Sequence, residues 1–325
     1  QTLMNMDITP LLSPIHEQSP CGEDYSFSNE FHAIKNAKTQ DDMLLDQGDW
    51  VTEPKQADWD FVATTSINLL QSKSKDIRLL TWISEAWASL YGFEGIAKSL
   101  ELSHRLLEQY WLHLHPEVEE DDLDQRIGLL QGLINQLPSL IKKVSLINQA
   151  PFYHLLDYDN FLYHENIRRK QSDDYENSSS SNELEQFEQA LLNTDKNFQR
   201  QNYQHFKEVL QQWATLKNVL DGLLGLDSPS FAAIDSSLDT IHNSLKKIYK
   251  ADLFQPTTQT STTEIVPSMI ADSQAMSMQQ PASQNQLSFQ PQVQSHVENR
   301  EQAMRVLQEI STYFQKNEPH SPVSY

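Results

Sequence analysis

Two stretches of this chain carry the same apolar rhythm. Phe206, Val209, Trp213, Leu216, Leu220 and Leu223 are spaced 3-4-3-4-3, and Phe231, Ile234, Leu238, Ile241, Leu245 and Ile248 repeat that spacing. A strand alternates its side chains between two faces, so this period belongs to helices and gathers each set on one seam. Between them, Gly225-Leu226-Asp227-Ser228-Pro229 offers a left-handed helix end, a cap and a helix-starting proline. The pair predicts an antiparallel helical hairpin with two facing seams. Heptad spacing of this kind permits pairing within one chain or between two.

The N-terminal half is helical by the same criterion. Leu80, Ile83, Trp87 and Leu90 mark one helix from Asp76 to Tyr91, and Ile96, Leu100, Leu106, Leu107 and Tyr110 a second from about Phe93 to Trp111. Tyr91-Gly92 is the break between them. A third helix is expected from about Asp122 to Ile147, kinked or split at Pro138. Shorter helices are expected at Asn29–Lys38, Asp58–Gln71 and Glu183–Leu192. Gly is only 8 of 325 residues, too few for a chain of many tight β-turns. The expected fold is all-α: an N-terminal helical domain over 1–155, a polar linker region over 156–181, and a middle hairpin domain over 182–252.

Composition changes after that. Residues 253–296 are rich in Gln, Ser, Thr, Pro and Met and contain no Lys or Arg. Such a segment cannot bury enough apolar surface to offset its ordering entropy and is expected to be disordered, spanning about 35–40 Å as a coil. In the last segment, 297–325, Ala303, Val306, Leu307, Ile310, Tyr313 and Phe314 form one apolar helical face. A lone amphipathic helix of this length is not stable in water, so it needs a partner.

Charge and chemistry exclude more than they suggest. Lys plus Arg is 24 against 45 Asp plus Glu, a net charge of −21. This argues against tracking nucleic-acid phosphates or an anionic membrane surface. Cys21 is the single cysteine, which rules out an intrachain disulfide or a thiolate metal cluster and fits a reducing, intracellular setting. No apolar run reaches the ~18–20 residues a membrane-spanning helix needs. There is no phosphate loop, dinucleotide fingerprint or nucleophile elbow. His113 and His115 precede an acidic run, Glu117 to Asp122, which reads as a solvated loop leading into the next helix rather than a metal site. Trp82, Trp87, Trp111 and Trp213 fall on apolar helix faces, whereas Trp50 and Trp59 flank an acidic loop. No catalytic constellation and no cofactor are expected.

An ordered set of short motifs resembles one family. Pro20-Cys21-Gly22-Glu23-Asp24, then Trp59, then Ser72-Lys73-Ser74-Lys75-Asp76-Ile77-Arg78, then Tyr110-Trp111-Leu112-His113-Leu114-His115-Pro116 are similar to the ImpA N-terminal domain of the TssA proteins of bacterial type VI secretion. Arg300, Ala303 and Leu307 followed by Glu318-Pro319-His320-Ser321-Pro322 resemble the close of the shorter, baseplate-type members. The resemblance implies a non-catalytic assembly protein that recruits or primes tail tube and sheath. It further implies a cytoplasmic location at the inner-membrane apparatus and a C-terminal multi-subunit ring. Longer relatives cap the distal end of the sheath, and that role is one alternative; a generic helical scaffold or an enzyme without a recognised site is the other. The resemblance also implies a further apolar helix after Tyr325, so 297–325 is read as a shortened ring-forming segment. In residue terms, Pro20 and Gly22 set a turn that Asp24 ties down, Ser74 caps a helix starting near Asp76, and Pro116 stops a helix. Arg300, Leu307, Ile310, Phe314 and the Glu318 to Pro322 motif are expected to contact neighbouring subunits or partners.

Overall fold

The computed structural model describes residues 6–39, 55–171, 181–254 and, near the C-terminus, 304–305, 307–310 and 312. It divides into two compact units, Gln1–Gln259 and Thr260–Tyr325. Trp50, Arg300, Phe314, Glu318, Pro319, His320, Ser321 and Pro322 lie outside the described residues, as does nearly all of the expected disordered segment.

The fold of the first unit is all-α. Its helices are α1 (Thr9–Leu12), α2 (Asn29–Lys38), α3 (Trp59–Ser72), α4 (Ile77–Tyr110), α5 (Asp124–Asn135), α6 (Leu137–Lys142), α7 (Leu155–Gln171), α8 (Ser181–Leu192), α9 (Lys196–Leu224) and α10 (Ala232–Tyr249). Side-chain caps start several of them. The side chains of Ser28, Asp58, Asp76 and Asp195 accept the backbone N–H of Phe31, Phe61, Arg78 and Asn197, satisfying donors that a helix start leaves open. Inside α4, Gly92 has φ 64° and ψ −139°, a conformation open in practice only to glycine. The two helices expected on either side of Gly92 are therefore the two halves of α4.

Two readings change. The helix expected from Asp122 to Ile147 is split near Pro138 as expected, with Pro138 in the first turn of α6, but it ends at Lys142. Val144 and Ile147 continue the apolar spacing and are buried, but from a loop, in which Leu146 N–H donates to Tyr153 O at 2.8 Å. Helix α7 occupies most of 156–181, the region read as polar linker. Its apolar face is narrow, with Leu155 buried and Tyr158 and Phe161 only half-buried, which is why the period was faint. That face meets α8 through Phe187, whose ring lies 5.2 Å from Tyr158 and 5.8 Å from Tyr153.

Helix α4 is the spine. It packs against α3 on one side and along α9 on another. Trp82 and Trp87 are buried, Trp82 edge-on to Phe31 at 4.9 Å. Phe93, just after the Gly92 break, meets Phe206 edge-on at 5.5 Å. The α9 seam thus faces α4 as well as α10. Phe206, Val209, Trp213, Leu216 and Leu220 are all 0–2% exposed, so this seam is closed within one chain. Trp213 also meets Phe231 edge-on and donates its indole N–H to Asp235, which Lys217 grips at 2.9 Å. Gly225 ends α9 with φ 56° and ψ −121°, a positive φ but not the left-handed helical end expected; α10 starts at Ala232 after Phe231, later than Ser228 and Pro229 suggest. It packs on α6, and the buried Tyr249 hydroxyl donates to Leu146 O at 2.7 Å. The segments expected as an N-terminal domain and a middle hairpin accordingly share one core.

In the second unit, residues 304–305, 307–310 and 312 are helical. Met304, Leu307 and Ile310 are 60%, 62% and 42% exposed.

Candidate functional site

Three of the four motifs singled out from sequence meet at one junction. The chain before α4 forms its middle ply. Gly22 pairs with Ser74 on one side, and Asp76 pairs with His115 on the other. Lys75 N–H donates to Cys21 O at 2.8 Å and Glu23 N–H to Lys73 O at 3.2 Å. On the far side, His115 N–H donates to Lys75 O at 2.9 Å and Ile77 N–H to His115 O at 3.0 Å. The His115 ring closes the stack by donating from Nε2 to Gly22 O at 2.9 Å. Gly22 sits at φ 67°, and its N–H donates to Ser19 O, so the expected turn is present. Asp24 accepts Ser26 N–H at 2.8 Å, which ties the chain after that turn and not the turn itself.

Charged side chains lock the junction from within. Asp76 is fully buried and accepts Arg78 three times: N–H at 2.8 Å, Nε at 2.9 Å and Nη2 at 2.7 Å. Asp24 lies 3.8 Å from the same guanidinium, which also faces the Phe31 ring. Lys75 is fully buried, and its ammonium donates to Leu11 O and Leu70 O, each at 2.7 Å. Burial pulls the Lys75 pKa down to about 8, with Cys21 opposing, and pushes the Cys21 thiol up to about 11, with Lys75 opposing. Cys21 is therefore a buried thiol, far from the thiolate character a nucleophile needs. Arg126, reaching back from α5, donates to Pro116 O at 2.8 Å, to Leu114 O at 2.5 Å and to Trp111 O, and stacks 4.7 Å over the Trp111 ring. Tyr110 donates to Leu12 O at 2.5 Å.

Several roles differ from expectation. The cap of α4 is Asp76; Ser74 is buried two residues earlier, and its hydroxyl has no hydrogen-bond partner among the described residues. Pro116 does not stop a helix. Helix α4 ends at Tyr110, and residues 112–116 turn back so that His115 can join the junction. Trp59 stands apart from it, half-buried at the start of α3. Pro20 is half-buried in the turn, and Trp111 half-buried beneath Arg126. Lys75 and Arg126 were not anticipated as anchors. Arg126 could have been found: it shares a helical register with Leu130, Leu133 and Leu137, where a charge implies a buried partner set.

Chemically the junction is a joint. Its charges bind backbone carbonyls or one another. Among the described residues, no three His, Cys, Asp or Glu side chains gather as metal ligands. What it offers to solvent is its rim: Asp24 and Glu23, the fully exposed Phe27, and Leu112 at 83% exposure. Leu307 and Ile310, the other described candidates, lie in the second unit.

Residues 12–135, which contain this whole junction, match the family described as ImpA, N-terminal, type VI secretion system. A structure of the N-terminal domain of TssA from Burkholderia cenocepacia, including its ImpA N-terminal region, superposes with a TM-score of 0.64 at 25% identity, over 75% of this chain and 94% of that one. Over 152 residues the chain is 29% identical to the type VI secretion system component TssA1 of Pseudomonas aeruginosa. Over its ImpA N-terminal region the chain is similar to TssA proteins. The TssA1 match covers 45% of this chain and 43% of that relative's length. No helix among the described residues is long and apolar enough to cross a membrane. Three of the four motifs that carry this similarity are parts of the joint that sets the start and end of α4; Trp59 is not.

Proposed function

We propose that this chain is a TssA protein, a non-catalytic assembly component of the type VI secretion baseplate. It works without a cofactor at the cytoplasmic side of the inner-membrane apparatus, and recruits or primes tail tube and sheath. The Gln1–Gln259 unit presents partner-binding surface, including the rim of the junction. The 297–325 segment joins copies of the chain into a multi-subunit ring. The observation that carries this reading is that Met304, Leu307 and Ile310, among the described helical residues near the C-terminus, are exposed. Exposed apolar residues on a helix are stabilised by self-association or by a protein partner. Linking many copies raises the local concentration of whatever each one captures.

The baseplate reading is preferred to a distal sheath cap because the Glu318 to Pro322 motif resembles that of the shorter members. Live imaging of a fluorescent fusion in cells with an active type VI system separates the two. A baseplate component stays at a fixed envelope focus while sheath extends away from it; a cap travels with the far end. Co-purification of tube, sheath or baseplate proteins with the full chain, lost in Leu307→Asp/Ile310→Asp, supports the assembly role. Unchanged recovery with that variant counts against the ring segment.

A further inference from the structure

Within the Gln1–Gln259 unit, the first turns of α9, the last turn of α10 and residues 251–254 enclose an open groove of about 590 Å3. Tyr203 and Phe254 form its aromatic floor, 6.3 Å apart. Arg200 lies over Phe254, Lys207 lies over Tyr203, and Lys246 faces them; Asp252 is the one carboxylate lining the groove. Arg200, Lys207 and Lys246 are exposed, and none forms an ion pair among the described residues. His242 reports their field. It shares a hydrogen bond with the Tyr203 hydroxyl at 3.0 Å, and its pKa is lowered by burial first and then by Lys246 and Lys207, against Asp239. In a chain of net charge −21, a cluster of three unneutralised cations over aromatic rings is a specific demand for carboxylates.

The same unit carries a complement at its other end. After α4, Glu119 to Asp122 forms a tight turn in which Asp122 N–H donates to Glu119 O at 2.9 Å. Its central residues Glu120 and Asp121 have φ 53° and 60°. Glu119, Glu120 and Asp121 are exposed and form no ion pair among the described residues. The groove lies near the Gly92 end of α4, since Phe206 packs on Phe93, while His104 bonds Gln212 further along. The acidic turn follows the Tyr110 end. The 18 residues between those ends span about 27 Å at 1.5 Å per residue, so turn and groove cannot meet within one chain.

The geometry points to a contact between copies in which the Glu119–Asp122 turn of one chain seats in the Arg200, Lys207 and Lys246 groove of the next. The contact is head-to-tail, so it propagates around a closed ring or along a filament rather than stopping at a dimer. It gives two strongly acidic molecules an attractive register, and it is independent of the role proposed for residues 297–325.

The test uses the full chain. Equal amounts of 14N- and 15N-labelled protein are treated with a carbodiimide, which joins a lysine amine to a carboxylate in direct contact, and the products are mapped by mass spectrometry. Mixed-isotope links from Lys207 or Lys246 to Glu119–Asp122 are expected at 50 mM salt, falling severalfold at 500 mM as the charges are screened. Links from these lysines only to other carboxylates, or only within one isotope, overturn the proposal. Glu120→Lys/Asp121→Lys keeps Glu119 and Asp122 as reactive groups, and its yield is expected to drop at least tenfold. Adding the Lys207→Glu/Lys246→Glu chain, which keeps the native turn, is expected to restore the link to the native groove lysines. Failure of that restoration, with both variants melting like the parent, also overturns it.

Discussion

At Gly22 a methyl group has no room. A Cβ there would stand 2.1 Å from Lys73 O, at a φ of +67° that other residues avoid. Gly22→Ala is expected to destabilise the first unit by about 2 kcal/mol or more in urea unfolding. Gly128 supplies the contrast: it is exposed in α5 with nothing near its Cβ, so Gly128→Ala is expected to stabilise by about 0.5–1 kcal/mol. Lys75 carries a pH signature. Its pKa is near 8 in the fold against 10.5 for the free group. Between those values the unfolded chain holds more protons, so the Lys75 contribution to stability rises with pH. The stability of the parent relative to Lys75→Met should rise from pH 7 to 9; a constant or falling difference contradicts the buried-ammonium account. At this scale the turn at Gly22 was legible from local chemistry alone, whereas Asp24 ties Ser26 downstream of it. The cap was misplaced from Asp76 to Ser74, because both residue types cap helices and only the Lys75 backbone pairing decides between them. Arg126 carried a signal in its apolar register with Leu130, Leu133 and Leu137, but its partners, backbone carbonyls, carry none.

Helices were legible where one face is apolar and long. The seam of α9 and the break at Gly92 follow directly from spacing and from glycine. What a single period cannot tell is the neighbour: the α9 seam was read as facing α10, and it also closes on α4. Leu216 is fully buried on that seam, so Leu216→Ala is expected to cost ~2–5 kcal/mol. Leu226, exposed beyond the end of α9, should change stability by less than ~0.5 kcal/mol when made Ala. Helix α7 was missed because its half-buried face owes its burial to α8. The shared core also makes a claim about fragments. A chain ending at residue 155 leaves the α9-facing side of α4 bare, so it should lose near-UV dichroism and bind a hydrophobic dye. The 1–259 chain should melt in one cooperative transition.

For the whole molecule, the central claim is that an acidic body is joined to others of its kind through a short apolar helix near the C-terminus. The body's charge keeps copies apart except where complementary surfaces meet, while Met304, Leu307 and Ile310 are turned to solvent. The most direct test is the mass of the full chain in solution by light scattering, beside a chain ending at Lys250 and the Leu307→Asp/Ile310→Asp variant. The account predicts a large, defined oligomer for the full chain and a mass at least severalfold smaller for the other two. Equal masses for all three would contradict it.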